Sequence, residues 1–233
     1  MVDIFDCARA QIYHNTGKLT PAQIKARTGC THIINGYLFN SKFQPVGWTV
    51  IDGKIISQDK YHDFGVSIGD NGLPFMSTDR RGSFLSGVPI LKAGAKLYRG
   101  LTADVARSAA RTAVGWMPNG KVCLWCDKTG MTREQLQDKL LALGVTDALM
   151  LDGGGSTQGI FPKAAVTSTR KVPTLLLFWE AGSEPRSEDA AALEWCRASG
   201  VYTGADMLAV NQPMTRKDLA GILYRFREVL KDG

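Results

Sequence analysis

The sequence predicts an α+β fold: a mixed, largely antiparallel β-sheet core with flanking helices, plus a small C-terminal helical hairpin. Three observations predict it. Short apolar runs come in pairs about tight-turn dipeptides, as in "VGWTVIDGKIIS" around Asp52-Gly53 and "RTAVGWMPNGKVCLWCD" around Asn119-Gly120, the pattern of hairpins. Two other stretches carry helix caps and helical spacing. A stretch rich in small, charged and turn-forming residues, "EAGSEPRSED", then sets the body apart from a helical tail.

In order, "LTPAQIKARTG" reads as a helix capped by Thr20, with Pro21 at its first position and Gly29 past its end. It leads into "CTHIINGYLF", a strand that breaks at Asn35-Gly36. The Asp52-Gly53 hairpin follows, and "FGVSIGDNGLPFMS" makes another pair about Asp70 to Gly72. Residues 101–109 read as a helix. In the Asn119-Gly120 hairpin, alternation puts Arg111, Ala113 and Gly115 on one face and Thr112 and Val114 on the other. "MTREQLQDKLLALG" is the clearest helix: Thr132 and Gln135 form a capping box, Leu136, Leu140 and Leu143 make the apolar stripe, and Gly144 closes it. The strand "DALML" then delivers Asp152 to a loop, and "VPTLLLFW" is a last buried strand. Beyond it, "SEDAAALEWCRASG" and "TRKDLAGILYRFREVL" read as two helices. The organisation is thus a body over 1–180, a linker over 181–187 and a tail over 188–233.

A length of 233 residues suits one domain with an appendage. The net charge of +6 favours an anionic partner. The basic residues are spread along the chain without a Lys/Arg block or a nucleic-acid-binding motif, so no specific nucleic acid is implied, and a phosphate-bearing glycan or polymer fits the charge as well. No apolar run approaches the roughly 18 residues of a membrane span, and no membrane partner is expected. "MVDIFDCARAQ" lacks a basic start followed by an apolar stretch, which makes a chain folded in the cytoplasm as synthesised the expectation. The sequence does not set an oligomeric state.

Five scattered cysteines, Cys7, Cys30, Cys123, Cys126 and Cys196, argue for free thiols rather than a disulfide framework. Cys123 and Cys126 form a C-x-x-C inside an apolar strand, with no second pair to complete a tetrahedral site, so buried structural cysteines are expected there. No cofactor is predicted. A divalent cation is compatible with an acid beside a phosphate, but no ligand spacing argues for one.

The residues with chemical content lie in "LDGGGSTQG". Three glycines at a strand end call for a sharp bend or a close approach. A P-loop is excluded because no Lys precedes the Ser/Thr, and Ser156 does not satisfy G-x-S-x-G. A run of glycine N–H groups with two hydroxyls makes a concave binder of phosphate oxygens, and Asp152 would stand beside the reacting centre. Arg111, either paired within the sheet or aimed into a cleft, is a natural phosphate clamp. Asn35 and Gly36 would offer an amide and a close backbone approach at a strand end. His32 either reaches the same cleft or packs in the sheet.

In order, "INGYLF", "PVGWTVIDGKII", "RTAVG", "GMTREQLQDKLLALGVTDALMLDGGGST" and "KVPTLLLF" resemble the phosphodiester glycosidase family over roughly residues 28 to 180. The resemblance implies an α+β catalytic domain that hydrolyses the bond between a sugar's anomeric carbon and phosphate, with an N-acetylhexosamine phosphodiester of a glycan or wall polymer as the expected substrate. Position by position it points to Asn35, Gly36, Arg111, Asp152, Gly153, Gly154, Gly155, Ser156 and Thr157. On this reading Arg111 and the glycine loop take the phosphate, and Asp152 acts as base or electrostatic stabiliser, with Asp127 and Asp79 as candidates for a second carboxylate. "AALEWCRASGVYTG" with "NQPMTRKDLAGILYRF" resembles a single S-layer homology repeat. The alternative is a non-catalytic phosphoglycan- or cell-wall-binding protein, or a phage virion protein, that recognises a phosphorylated glycan without cutting it.

Overall fold

A computed structural model describes residues 1–98 and 107–182. Among the described residues sixteen strands fall into three sheets, and every pairing between them is antiparallel. Among the described residues only two α-helices occur, α1 (Pro21–Thr28) and α2 (Arg133–Ala142). The fold is therefore more β-rich than the expected α+β class. The difference comes from strands that the sequence pattern had not marked, among them β1 (Val2–Phe5), β2 (Cys7–His14), β8 (Ser83–Ser86) and β9 (Val88–Lys92).

The first sheet sets β1, β12 (Val122–Met131), β11 (Ala109–Trp116), β13 (Asp147–Met150), β9 and β10 (Ala95–Lys96) side by side. The second runs β15 (Ala165–Val166), β14 (Gly159–Ile160), β3 (His32–Asn35), β16 (Thr174–Glu180) and β2. The third holds the two predicted hairpins, β4 (Thr49–Ile51) with β5 (Lys54–Ser57) and β6 (Gly65–Ile68) with β7 (Pro74–Ser77), joined through β8.

Strand alternation sorts the apolar residues into layers. Val114, Leu124, Cys126 and Leu149 of the first sheet meet Ile12, Ile34, Leu176 and Phe178 of the second and Val66 and Leu85 of the third in one central core. On its opposite face the first sheet packs Ala113, Cys123, Trp125 and Met150 against Leu136 and Leu140 of α2. The second sheet likewise turns Ile33, Leu175, Leu177 and Trp179 toward Ile24 of α1. Cys123 and Cys126 thus lie in different layers, which removes any shared ligation, and burial pushes both thiols up to about 12.

Both helix starts follow from their caps. Thr20 with Gln23 and Thr132 with Gln135 each form a reciprocal capping box. Gly29 takes the left-handed conformation that ends α1. The helix expected over 101–109 falls mostly outside the described residues; at its end, Ala109 already begins β11. The chain divides into the units Met1–Glu184 and Pro185–Gly233. The two tail helices expected over 188–233 lie outside the described residues.

Candidate active site

β13 runs between β11 and β9 with Ala148, Leu149 and Met150 buried, so its C-terminal end has one course out of the core. Leu151 still donates its N–H to the Thr112 carbonyl at 2.8 Å, and Asp152 donates to Gly36 at 3.1 Å. The chain then turns sharply through a single 3-10 turn, Gly154–Ser156. The glycines there answer separate demands. A Cβ on Gly153 would lie 2.5 Å from the Ala110 carbonyl oxygen, and Gly154 has φ +56°.

The turn commits part of the expected N–H cradle internally. Gly153 donates to the Asp152 carboxylate at 2.9 Å, Ser156 to the Gly153 carbonyl at 3.1 Å and Thr157 to the Gly154 carbonyl at 3.2 Å. That leaves the N–H groups of Gly154 and Gly155 without a protein acceptor among the described residues.

Asn35 braces this turn. Its amide nitrogen donates to the carbonyls of Asp152 at 2.8 Å and Gly36 at 3.1 Å, while its oxygen accepts from the Thr112 hydroxyl at 2.8 Å and the Gln158 N–H at 3.1 Å. Fully buried and fully engaged, the side chain ties together β3, β11 and both ends of the glycine loop. Gly36 lies against β16, donating its N–H to the Thr174 carbonyl.

Asp152 is half-buried. Burial, the largest influence on it, pushes it above the usual carboxylate range, against the Ser156 hydroxyl, the Gly153 N–H and the charge of Arg170, which all favour ionisation. Arg170, exposed, was not singled out by the sequence. Its Nη1 lies 3.4 Å from the Ser156 hydroxyl, and its guanidinium packs over Gly155. Ser168 fastens the Arg170 loop to the turn by donating to the Gly155 carbonyl at 2.6 Å. Between them opens a cleft of about 680 Å³, lined by Ala110, Lys128, Gly154, Gly155 and the 167–170 loop. Among the described residues its lining carries two cations, three hydroxyl residues and no acid, which suits an anion. The signal available in the sequence was the run "TSTRK", three hydroxyls beside an arginine, but only the fold brings it to the glycines.

Arg111 sits beneath this cleft rather than in it. It is 3% exposed, its Nε donates to the Met131 carbonyl at 3.1 Å and its Nη2 to the Arg107 carbonyl. Burial, the largest influence, opposes its charge, and Glu134 relieves only part of this while Arg107 and Arg133 add to it. Thr157 is buried, and its hydroxyl has no partner among the described residues. His32 is not brought to the cleft: it begins β3, stacks on Phe5 with ring centroids 3.9 Å apart, and lies 3.1 Å from the Asp3 carboxylate. Packing in the sheet is thus its placement. Asp79 is paired with Arg81 on the surface, and Asp127 accepts the Thr129 N–H. Burial first, then the charges of Asp59 and Asp152, hold the Tyr37 hydroxyl in the protonated form. Among the described residues, no group of three or more His, Cys, Asp or Glu is placed to hold a metal ion.

A family model described as phosphodiester glycosidase matches residues 28–179. It ends before the tail, whose resemblance to an S-layer homology repeat gains no support. Three solved structures share the fold. The catalytic domain of zebrafish N-acetylglucosamine-1-phosphodiester alpha-N-acetylglucosaminidase, auto-inhibited by its pro-peptide, is 22% identical with a TM-score of 0.58, over 74% of this chain and 73% of that one. A hypothetical protein from Synechocystis is 12% identical, TM-score 0.60, over 77% and 57%. A putative exported protein from Burkholderia pseudomallei is 13% identical, TM-score 0.52, over 74% and 71%. No curated protein matches the chain.

Proposed function

The chain belongs to the phosphodiester glycosidase family, and from that premise we propose that it hydrolyses the bond between a sugar's anomeric carbon and phosphate, with an N-acetylhexosamine phosphodiester of a glycan as substrate. Hydrolysis of glycosyl phosphodiesters is the family's activity. The observation that carries the reading to this chain is the meeting of the Asp152 carboxyl, the Ser156 hydroxyl and the Arg170 guanidinium, with Arg170 itself lining the cationic cleft.

Phosphate is a good leaving group, so the demanding tasks are to hold its charge, to stabilise an oxocarbenium-like carbon and to activate water. Arg170 and the N–H groups of Gly154 and Gly155 hold the phosphate, and Arg111 adds positive potential from beneath Gly153. Asp152 faces the cationic carbon or takes the proton of the attacking water. Asn35 and Gly36 act by fixing the Asp152 backbone.

The test incubates the full chain with N-acetylglucosamine-1-phosphate methyl ester and related glycosyl phosphodiesters and detects reducing sugar by mass spectrometry. Wild type releases sugar, and Asp152→Asn lowers the rate about 10³-fold, the scale of losing a transition-state charge partner. No release from any substrate overturns the reading; tight binding without release would assign a phosphoglycan-binding protein instead.

A further inference from the structure

Asp152 brings its carboxyl beside the glycine turn, and a second carboxylate, Asp59, stands on the other side of Tyr37. The segment between β5 and β6 turns on Asp59, whose Oδ1 accepts the N–H groups of Tyr61 and His62, each at 3.0 Å. Its other oxygen meets Nδ1 of His62. This turn is clamped to β8: the Ser86 hydroxyl donates to the His62 carbonyl at 3.0 Å and accepts the Trp48 N–H at 2.7 Å. Gly47, at φ +83°, leaves the room that a Cβ, 2.8 Å from the Ser86 hydroxyl, would fill.

The imidazole is 28% exposed and stands edge-on to Tyr37, ring centroids 5.4 Å apart at 68°. Tyr37 follows Gly36, whose carbonyl receives the Asp152 N–H. One tyrosine therefore separates the Asp59–His62 pair from Asp152. With Nδ1 on a carboxylate, the neutral ring carries its proton there and presents a lone pair at Nε2. No described residue occupies that Nε2.

Resting on the hydrolase reading above, we propose that His62, oriented by Asp59, is the general base that activates water, and that Asp152 is the electrostatic partner of the anomeric carbon. The division follows from occupancy: Asp152 is already engaged by the Gly153 N–H and the Ser156 hydroxyl, whereas no described residue engages Nε2. As the water oxygen bonds to the anomeric carbon, the bond from that carbon to the phosphate oxygen breaks and its electron pair leaves with the phosphate. The water's proton passes to Nε2, the Asp59 carboxylate balances the imidazolium, and the proton then returns to solvent.

Azide separates this role from a structural one, because it is an anionic nucleophile that needs no base. The full chain carrying His62→Ala loses hydrolysis by about 10²- to 10⁴-fold. Added azide restores turnover, now giving the glycosyl azide by mass spectrometry, while Asp152→Asn is not restored. Asp59→Asn gives a smaller loss, also restored. If His62→Ala melts early, His62→Asn takes its place. Hydrolysis within twofold of wild type in a folded His62 variant, or loss that azide leaves unrelieved, overturns the proposal while leaving the hydrolase reading in place. Azide rescue of Asp152→Asn alone gives the base role to Asp152 and also overturns it. A wild type that cleaves no glycosyl phosphodiester removes both.

Discussion

A single carboxyl carries opposite consequences for stability and for chemistry in this protein. Burial raises Asp152 above the ordinary carboxylate range, so the folded state holds its proton to a higher pH than the unfolded chain does. Between the unfolded value of about 3.9 and the raised folded one, the folded state binds more protons and stability falls as pH rises; above that window the cost is constant. Asp152→Asn removes the charge and keeps an oxygen to accept the Gly153 N–H. The variant is therefore expected to melt at a higher temperature than wild type at pH 7 while being inactive, and the difference should shrink as pH falls into the window. Thermal melts of both proteins from pH 7 to pH 4 check this, and a variant melting below wild type at pH 7 would contradict it. Asp152 and the glycines were legible in the sequence because a strand ending in an acid and a sharp turn is a local pattern. Arg170, Tyr37 and His62 were not, since each acquires meaning only from a neighbour far along the chain: Ser156, Asp152 and Tyr37 respectively.

At the scale of elements, local chemistry was readable and pairing was not. Asp52 and Gly53 both take positive φ, the conformation of the predicted tight hairpin. The two capping boxes start their helices at Thr20 and Thr132. By contrast β1 and β2 are N-terminal runs that join different sheets, β1 pairing with β12 and β2 with β16. Such partners more than 100 positions away leave no local mark. The β3–β16 contact shows how far a site depends on pairing of this kind. A Cβ on Gly36 would stand 2.3 Å from the Thr174 hydroxyl oxygen and 2.8 Å from the Thr174 carbonyl oxygen. Gly36→Ala must therefore push the strands apart, at about 1–3 kcal/mol, and move the carbonyl that receives the Asp152 N–H. Chemical denaturation should show that loss, and turnover should fall as well. The Thr174 hydroxyl has no partner among the described residues, so adding Thr174→Ala relieves the nearest contact and should recover part of the stability. No recovery would place the strain at the backbone oxygen.

At the scale of the whole molecule, every residue given a part in the proposed chemistry belongs to the unit Met1–Glu184. The central core draws on all three sheets, and the last described strand, β16, lies between β3 and the edge strand β2 of the second sheet. Just beyond it, Ala181 donates its N–H to the Asp6 carbonyl at 2.7 Å, tying the end of the body to its beginning. Asp152, Ser156, Arg170, Tyr37 and the Asp59–His62 pair all precede that closure, and the family match ends at residue 179. A chain ending at Glu184 therefore keeps each apolar layer described above, and it retains every residue assigned to phosphate, carbon and water. Because those residues are all retained, it is expected to unfold in one cooperative transition and to cleave a small glycosyl phosphodiester with kcat/KM within about twofold of the full chain. Substrate length is the variable that separates body from tail. Equal activity of both chains on a short phosphodiester, with weaker action of the shorter chain on a long polymer, would make residues 185–233 a substrate-holding segment. A well-folded 1–184 chain without activity on the short substrate would instead put part of the chemistry in the tail and break the assignment of the site to the body alone.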